Sequence, residues 1–162
     1  MPRPNSLGEW KNPGKVFITG ASSGIGASYA KAFAENGFDL VLLARRKDRL
    51  QALANLLESD RSIHCEIITA DLSEKEDIKK AANHIRQMDN LDILINNAGF
   101  ATIGCFADIK IEKSMQMFHT HMTATVQLTH AALQVMLKRK RGAIINVSSM
   151  GAFILTPGNV LY

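Results

Sequence analysis

The stretch Lys15-Val16-Phe17-Ile18-Thr19-Gly20-Ala21-Ser22-Ser23-Gly24-Ile25-Gly26 decides the fold. Lys15 to Thr19 is a short apolar run that reads as a strand. It runs straight into a loop with glycines spaced G-x-x-x-G-x-G. Residues 24–36 then show helical periodicity, with Ile25, Tyr29, Ala32 and Phe33 on one face and Gly37 as the stop. Three glycines alone signal only a turn. Between a first strand and a first helix they have a specific use. Gly20 lets the chain turn off the strand, Gly24 lets backbone approach a pyrophosphate, and Gly26 lets the helix pack closely on the sheet. The pyrophosphate then meets unpaired N–H groups at the helix N-terminus. The candidate binding set is Gly20, Ser22, Ser23, Gly24, Ile25 and Gly26. No Gly-Lys-Ser/Thr is present, which argues against a nucleoside triphosphatase.

Working outward, Leu40 to Leu43 is a second strand, a continuous apolar run of the kind buried on both faces. Lys47 to Ser59 is helical, with Leu50, Leu53, Leu56 and Leu57, and Cys65 to Thr69 is a third strand. Ser73 with Glu76 three residues on reads as a capping box for a helix carrying Ile78, Ala81, Ala82, Ile85 and Met88. Leu91 to Ile95 is a fourth strand. From about Ile111 to Lys138, apolar residues recur at spacings of three and four (Met115, Phe118, Met122, Val126, Leu133, Met136), which predicts one long helix. Ala143 to Val147 is a fifth strand, and residues 151–162 read as loop, with Pro157-Gly158 as a turn. Strands alternating with helices predict an α/β fold: a doubly wound parallel sheet with right-handed crossovers. Residues 15–162 form one domain behind a loose tail of residues 1–14, which Trp10 docks.

The 162 residues are 46% hydrophobic and 21% charged, ordinary for a globular domain. The net charge of +4 comes from scattered basic residues, so no nucleic-acid partner is expected. Lys138-Arg139-Lys140-Arg141 reads as a solvated helix end that suits the negative end of the helix dipole. The mild positive charge suits an anionic cofactor. Cys65 and Cys105 form no ligand set with histidine, so they read as reduced thiols of a cytoplasmic protein and no metal is expected. No apolar run is long enough to span a membrane, and the N-terminus does not read as a secretory signal.

The second strand ends in Ala44-Arg45-Arg46. A site for NAD usually places a carboxylate there to hold the ribose 2′-hydroxyl. Here cations stand instead, and a 2′-phosphate would be welcomed by Arg45. NADP(H) is therefore preferred over NAD(H). The alternative is that Arg45 and Arg46 are solvated residues at a helix start.

Taken together these residues resemble the classical short-chain dehydrogenase/reductase family, a Rossmann-type fold, over nearly the whole chain. Thr19 to Gly26 resembles the family's TGxxxGxG loop. Asp71-Leu72 resembles the segment whose acidic residue hydrogen-bonds the adenine amine, though a helix cap would also account for Asp71. Asn96-Asn97-Ala98-Gly99 resembles the NNAG motif that lines the adenine-ribose side and steadies the sheet. Asn146-Val147-Ser148-Ser149 resembles the segment carrying the catalytic serine. Tyr162 lies thirteen residues after Ser149 (162 − 149), the family's serine-to-tyrosine spacing. The surrounding residues are most similar to the bacterial NADP-dependent branch related to ketoacyl and hydroxysteroid reductases.

The resemblance implies hydride transfer between a nicotinamide and a carbonyl or alcohol carbon. Ser149 would orient the substrate oxygen and Tyr162 would act as general acid/base. Where the family has an asparagine that holds a water in a proton relay, this chain has His121. Histidine can serve there by hydrogen bonding, or be an ordinary helix residue. The family's YxxxK lysine, which lowers the tyrosine pKa and holds the nicotinamide ribose, would lie four residues past Tyr162, and the chain has none there. The expectation is therefore a sheet lacking its C-terminal strands and helices, in a 162-residue polypeptide with little reductase activity. The alternative is a non-catalytic nucleotide- or partner-binding protein. Phe100 to Phe106 and Phe153 to Pro157 would line an apolar substrate site, and a longer form is expected to pair as a homodimer or homotetramer.

Overall fold

Apolar strands too hydrophobic for either face to meet water need helices on both sides. The chain supplies them in alternation: β1 (Lys15–Thr19), α1 (Gly24–Glu35), β2 (Asp39–Ala44), α2 (Lys47–Asp60), β3 (Cys65–Thr69), α3 (Lys75–Arg86), β4 (Leu91–Asn96), α4 (Ile111–Phe118), α5 (Ala124–Arg139) and β5 (Ala143–Asn146). The computed structural model describes Trp10, residues 12–153 and Gly158. The five strands are all parallel, in the order β3-β2-β1-β4-β5. The order reverses between β1 and β4. In such sheets the crevice at the carboxyl ends of the strands on either side of that reversal is where ligands bind.

Side chains alternate across the sheet as the strand period requires, except at Asp92, where a register shift against β1 puts Leu91 on the same face as Leu94. Val16, Ile18, Leu40, Leu42, Ile93 and Ile95 face Phe33 of α1 and Leu50 and Leu57 of α2. Phe17, Val41, Leu43, Leu91 and Leu94 face Ile78 and Ile85 of α3 and Leu128 and Ala132 of α5. Each large side chain buried this fully contributes about 1.5–3 kcal/mol.

Four features differ from the sequence reading. The predicted capping box at Ser73 does not form, since α3 is capped by the backbone of Glu74 and no side chain caps it. Instead Asp71 Oδ1 accepts from the Ser73 N–H (2.9 Å) and hydroxyl (2.8 Å), and Asp77 Oδ2 accepts from the Asp71 N–H (2.9 Å). The last of these bonds holds the Asp77 carboxyl below its ordinary value of 3.8, helped by Lys80.

The predicted single helix from Ile111 to Lys138 is broken by a π turn at His119–Thr123. Its apolar stripe is also turned outward: Met115, Phe118, Met122, Val126 and Leu133 are exposed. The buried face is built from Met117, Ala124, Leu128, Ala131, Ala132, Val135 and Met136. Small residues there let the helix lie close to the sheet.

Lys138–Arg141 is not merely a solvated helix end. Arg139 Nη1 lies 3.0 Å from Asp92 Oδ1 and Arg141 Nη2 lies 2.7 Å from Oδ2, and Asp92 is fully buried in β4. Burying that carboxylate unpaired would be costly, and two guanidiniums offset the cost. Arg141 also stacks on Trp10, 4.8 Å from the ring, and Trp10 packs edge-on against Phe38. The Trp10 end of the tail is thus docked as expected.

The segment after β5 opens with a 3-10 turn, Met150–Ala152, rather than featureless loop. Tyr162 and most of the predicted Pro157-Gly158 turn lie outside the described residues.

Candidate active site

Thr19 ends β1 and organises the crevice. Its hydroxyl donates to the Ile95 carbonyl (3.2 Å) and accepts from the N–H groups of Asn97 (2.9 Å) and Ala98 (3.0 Å). The Asn97 side chain donates back to the Thr19 carbonyl (2.9 Å). The glycine loop after β1 and the Asn97-Ala98-Gly99 loop after β4 are thereby tied together. Gly20 sits at φ +67°, and a Cβ there would come within 2.9 Å of the Ala98 Cα. A Cβ on Gly26 would collide with the Gly20 carbonyl and lie 2.6 Å from Asn97 Nδ2. Both positions need glycine because the two loops touch. Asn96 adds a second tie, donating to Asn146 Oδ1 of β5 (2.8 Å) and to the Thr129 hydroxyl of α5 (3.0 Å).

No side chain caps α1, although Ser23 stands at its N-cap. The hydroxyls of Ser22 and Ser23 are taken instead by Arg46. Its Nη2 donates to Ser22 Oγ (2.9 Å) and Ser23 Oγ (2.7 Å), and Nε also reaches Ser22 (3.3 Å). A guanidinium is thus held across the glycine loop at the carboxyl end of β2. Arg45, the cation favoured from sequence, lies beside Asp71 at 3.6 Å. Both partners there are solvent-exposed, so the pair contributes little to stability.

These groups line one cleft of ≈ 510 Å³: Gly20, Ser22 to Ile25, Arg45, Arg46, Asp71, Leu72 and Asn97 to Phe100. Every cofactor-binding candidate from the sequence lines it except Gly26, which packs beneath the loop. Thr19, Phe100 and Thr120 were not among those candidates. Thr120 is buried in the π turn, a backbone feature with no sequence signal here.

A second pocket of ≈ 470 Å³ lies against the exposed face of α4 and the residues that follow β5. Phe106, Met115, Phe118, Met122, Val147 and Ala152 make it apolar, and Ser149 and His121 are among its polar lining groups. Ser149 lies three residues past the end of β5, and its hydroxyl accepts from the Gly151 N–H (3.1 Å). His121 Nε2 accepts from the Phe100 N–H (3.0 Å). Burial pushes this imidazole below its ordinary value of 6.5. The candidates Ser149 and His121 therefore share one pocket, while Tyr162 lies outside the described residues.

The family model for short chain dehydrogenases matches residues 14–162. The chain belongs to the short-chain dehydrogenase family. It is 32% identical over 148 residues, 91% of the chain, to an uncharacterised oxidoreductase of Staphylococcus aureus. Among solved structures it is similar to the bulky-bulky ketone specific alcohol dehydrogenase from Comamonas testosteroni, with 34% identity and a TM-score of 0.90 over 94% of the chain. It is also similar to a short-chain dehydrogenase from Sphingobium yanoikuyae in complex with NADPH, with 39% identity and a TM-score of 0.88 over 93% of the chain. The chain spans 63% of the length of the Staphylococcus relative, 61% of the Comamonas structure and 59% of the Sphingobium one. As in short-chain dehydrogenases generally, the fold is a Rossmann-like parallel sheet. Among the described residues no helix is long and apolar enough to cross a membrane, and no three His, Cys, Asp or Glu side chains cluster to hold a metal.

Proposed function

We propose that the chain provides the cofactor site of an NADP(H)-dependent oxidoreductase acting on an apolar carbonyl or alcohol. The observation that carries the NADP(H) reading is Arg46, held by three hydrogen bonds to Ser22 and Ser23 at the end of a strand that carries no carboxylate. A 2′-hydroxyl needs an acceptor at this point, and a 2′-phosphate needs donors and positive charge. Arg45 and Arg46 supply the second set. The cofactor's remaining groups also find chemistry that fits: an uncapped helix N-terminus for the pyrophosphate and Asp71 at the adenine end.

When bound, the nicotinamide accepts or gives the hydride. The chain's own part is to bind, orient and move a proton. Ser149 would hydrogen-bond the substrate oxygen at the wall of the apolar pocket, and Tyr162 would donate or remove the proton at that oxygen.

The test is a titration of the protein with NADPH and with NADH, followed by a turnover assay on a panel of apolar ketones. NADPH is expected to bind at least about tenfold tighter, a difference of ~1.4 kcal/mol. Equal affinities would remove the arginine argument, and absence of binding by both would remove the function.

A further inference from the structure

We propose that His121 is a positioning residue that couples the Asn97–Phe100 loop of the nucleotide cleft to pH, so that the grip on a bound dinucleotide weakens in acid. This rests on the nucleotide-site reading above. The geometry is specific. The Phe100 N–H points at His121 Nε2 from 3.0 Å, so Nε2 must be the unprotonated nitrogen and a neutral ring carries its proton on Nδ1. Protonating Nε2 would set two N–H groups against each other at that distance, and the bond would be lost.

The loop has little room to compensate. A Cβ on Gly99 would lie 3.0 Å from the same Nε2, and the Phe100 ring meets the imidazole edge-on with 6.1 Å between centroids. Gly99 and Phe100 also line the nucleotide cleft, with Asn97 and Ala98 fixed two residues earlier by Thr19. His121 thus holds the free end of a loop whose other end is pinned to β1. It does so from the π turn, a backbone form often found at functional sites.

Among the described residues no Asp or Glu lines the apolar pocket. On the helix side, Lys113 lies 4.8 Å from the centre of the Phe100 ring, and His119, on the same turn, is hydrogen-bonded to Thr123. Asp71, Arg45 and Arg46 stand elsewhere in the nucleotide cleft. The sign follows from burial, which lowers the imidazole's proton affinity in the fold. The contribution is complete above 6.5 and is lost as the pH falls through the lower folded value.

The experiment measures the dissociation constant of NADPH from pH 7.5 to 5 for the full chain, for His121→Gln and for His121→Leu. Glutamine keeps an acceptor that does not titrate. The 2′-phosphate itself titrates near pH 6 and acts on all three alike, so the comparison is between proteins. The wild type is expected to lose roughly tenfold more affinity than His121→Gln over that range, ~1.4 kcal/mol. His121→Leu is expected to be weak at every pH. Identical profiles for wild type and His121→Gln would overturn the proposal. If NADPH binds at no pH, the nucleotide reading fails instead, and ¹⁵N spectra of the unliganded protein decide the His121 question. An unprotonated Nε2 at pH 7.5, with a Phe100 amide shift that follows the imidazole titration, supports it. A protonated Nε2 at pH 7.5 overturns it.

Discussion

β4 is buried at all six positions, whereas its neighbour β5 is buried at none of its four. The two strands share one register, Ile93 opposite Ala143 through Asn96 opposite Asn146, and both are apolar for most of their length. What differs is their cover. β4 lies between β1 and β5 with helices on both faces, while β5 is the edge of the sheet among the described residues. The same contrast runs through the site. On the β1-β2-β4 side the polar groups are matched by the chain itself: Thr19 to Asn97 and Ala98, Arg46 to Ser22 and Ser23. On the β5 side an apolar groove with Met115, Phe118 and Met122 exposed meets Ser149. The half proposed to hold nucleotide is thus matched by polar contacts within the described chain, some of them between residues 78 apart in sequence. The half proposed to hold substrate is an exposed apolar surface.

The largest effect expected from this contrast concerns the two faces of α5. Leu128→Ala removes a fully buried side chain and should cost about 2–5 kcal/mol in denaturant unfolding. Val126→Ala, two residues away and 63% exposed, should stay within about 0.5 kcal/mol. Equal losses would mean that the outer stripe is covered in solution.

Within the nucleotide half, Gly26→Val drives a side chain into the Gly20 carbonyl and Asn97. We expect NADPH affinity to drop about a hundredfold or more, ~2.7 kcal/mol. A smaller drop in a folded variant would show that the two loops can separate cheaply. Arg46→Ala should weaken NADPH about tenfold and leave NADH nearly unchanged, again by titration. Equal losses for both nucleotides would make Arg46 a loop support and shift phosphate recognition to Arg45.

The smallest effect concerns acid. The Asp77 carboxyl sits below 3.8 because the Asp71 N–H donates to it. Its contribution to stability is complete above 3.8 and is lost as the pH falls through the lower folded value. Asp77→Asn should therefore be less stable than wild type at pH 6, and the gap should close below the carboxylate range. A gap that persists at pH 2 would point to packing rather than charge.

Much of this was legible in the sequence because its signals are local. The strand-glycine-helix order around Gly20 to Gly26 and the alternation of apolar runs predict the sheet and its crevice, and the family match agrees. What was not legible depends on distant partners or on the twist of the chain. Lys138–Arg141 looks like a solvated helix end until Asp92, 49 residues before Arg141, is placed beneath it. The apolar stripe of residues 115–133 announces a helix but not which face is inward, since the inner face is apolar too, with three alanines beside Met117, Leu128, Val135 and Met136. The π turn that carries His121 lies inside a continuous amphipathic run, where one extra residue per turn leaves no mark on composition. Arg45 and Arg46 are adjacent, and only the fold gives Arg46 to the serines and Arg45 to Asp71.

The measurement that meets the central claim most directly is a structure of the protein with NADPH bound. The account predicts the pyrophosphate at the Ser22–Gly24 loop, the 2′-phosphate within hydrogen-bond reach of Arg46 or Arg45, and the adenine beside Asp71-Leu72. A nucleotide seated away from the glycine loop, or a 2′-phosphate turned to solvent with both arginines uninvolved, would contradict it.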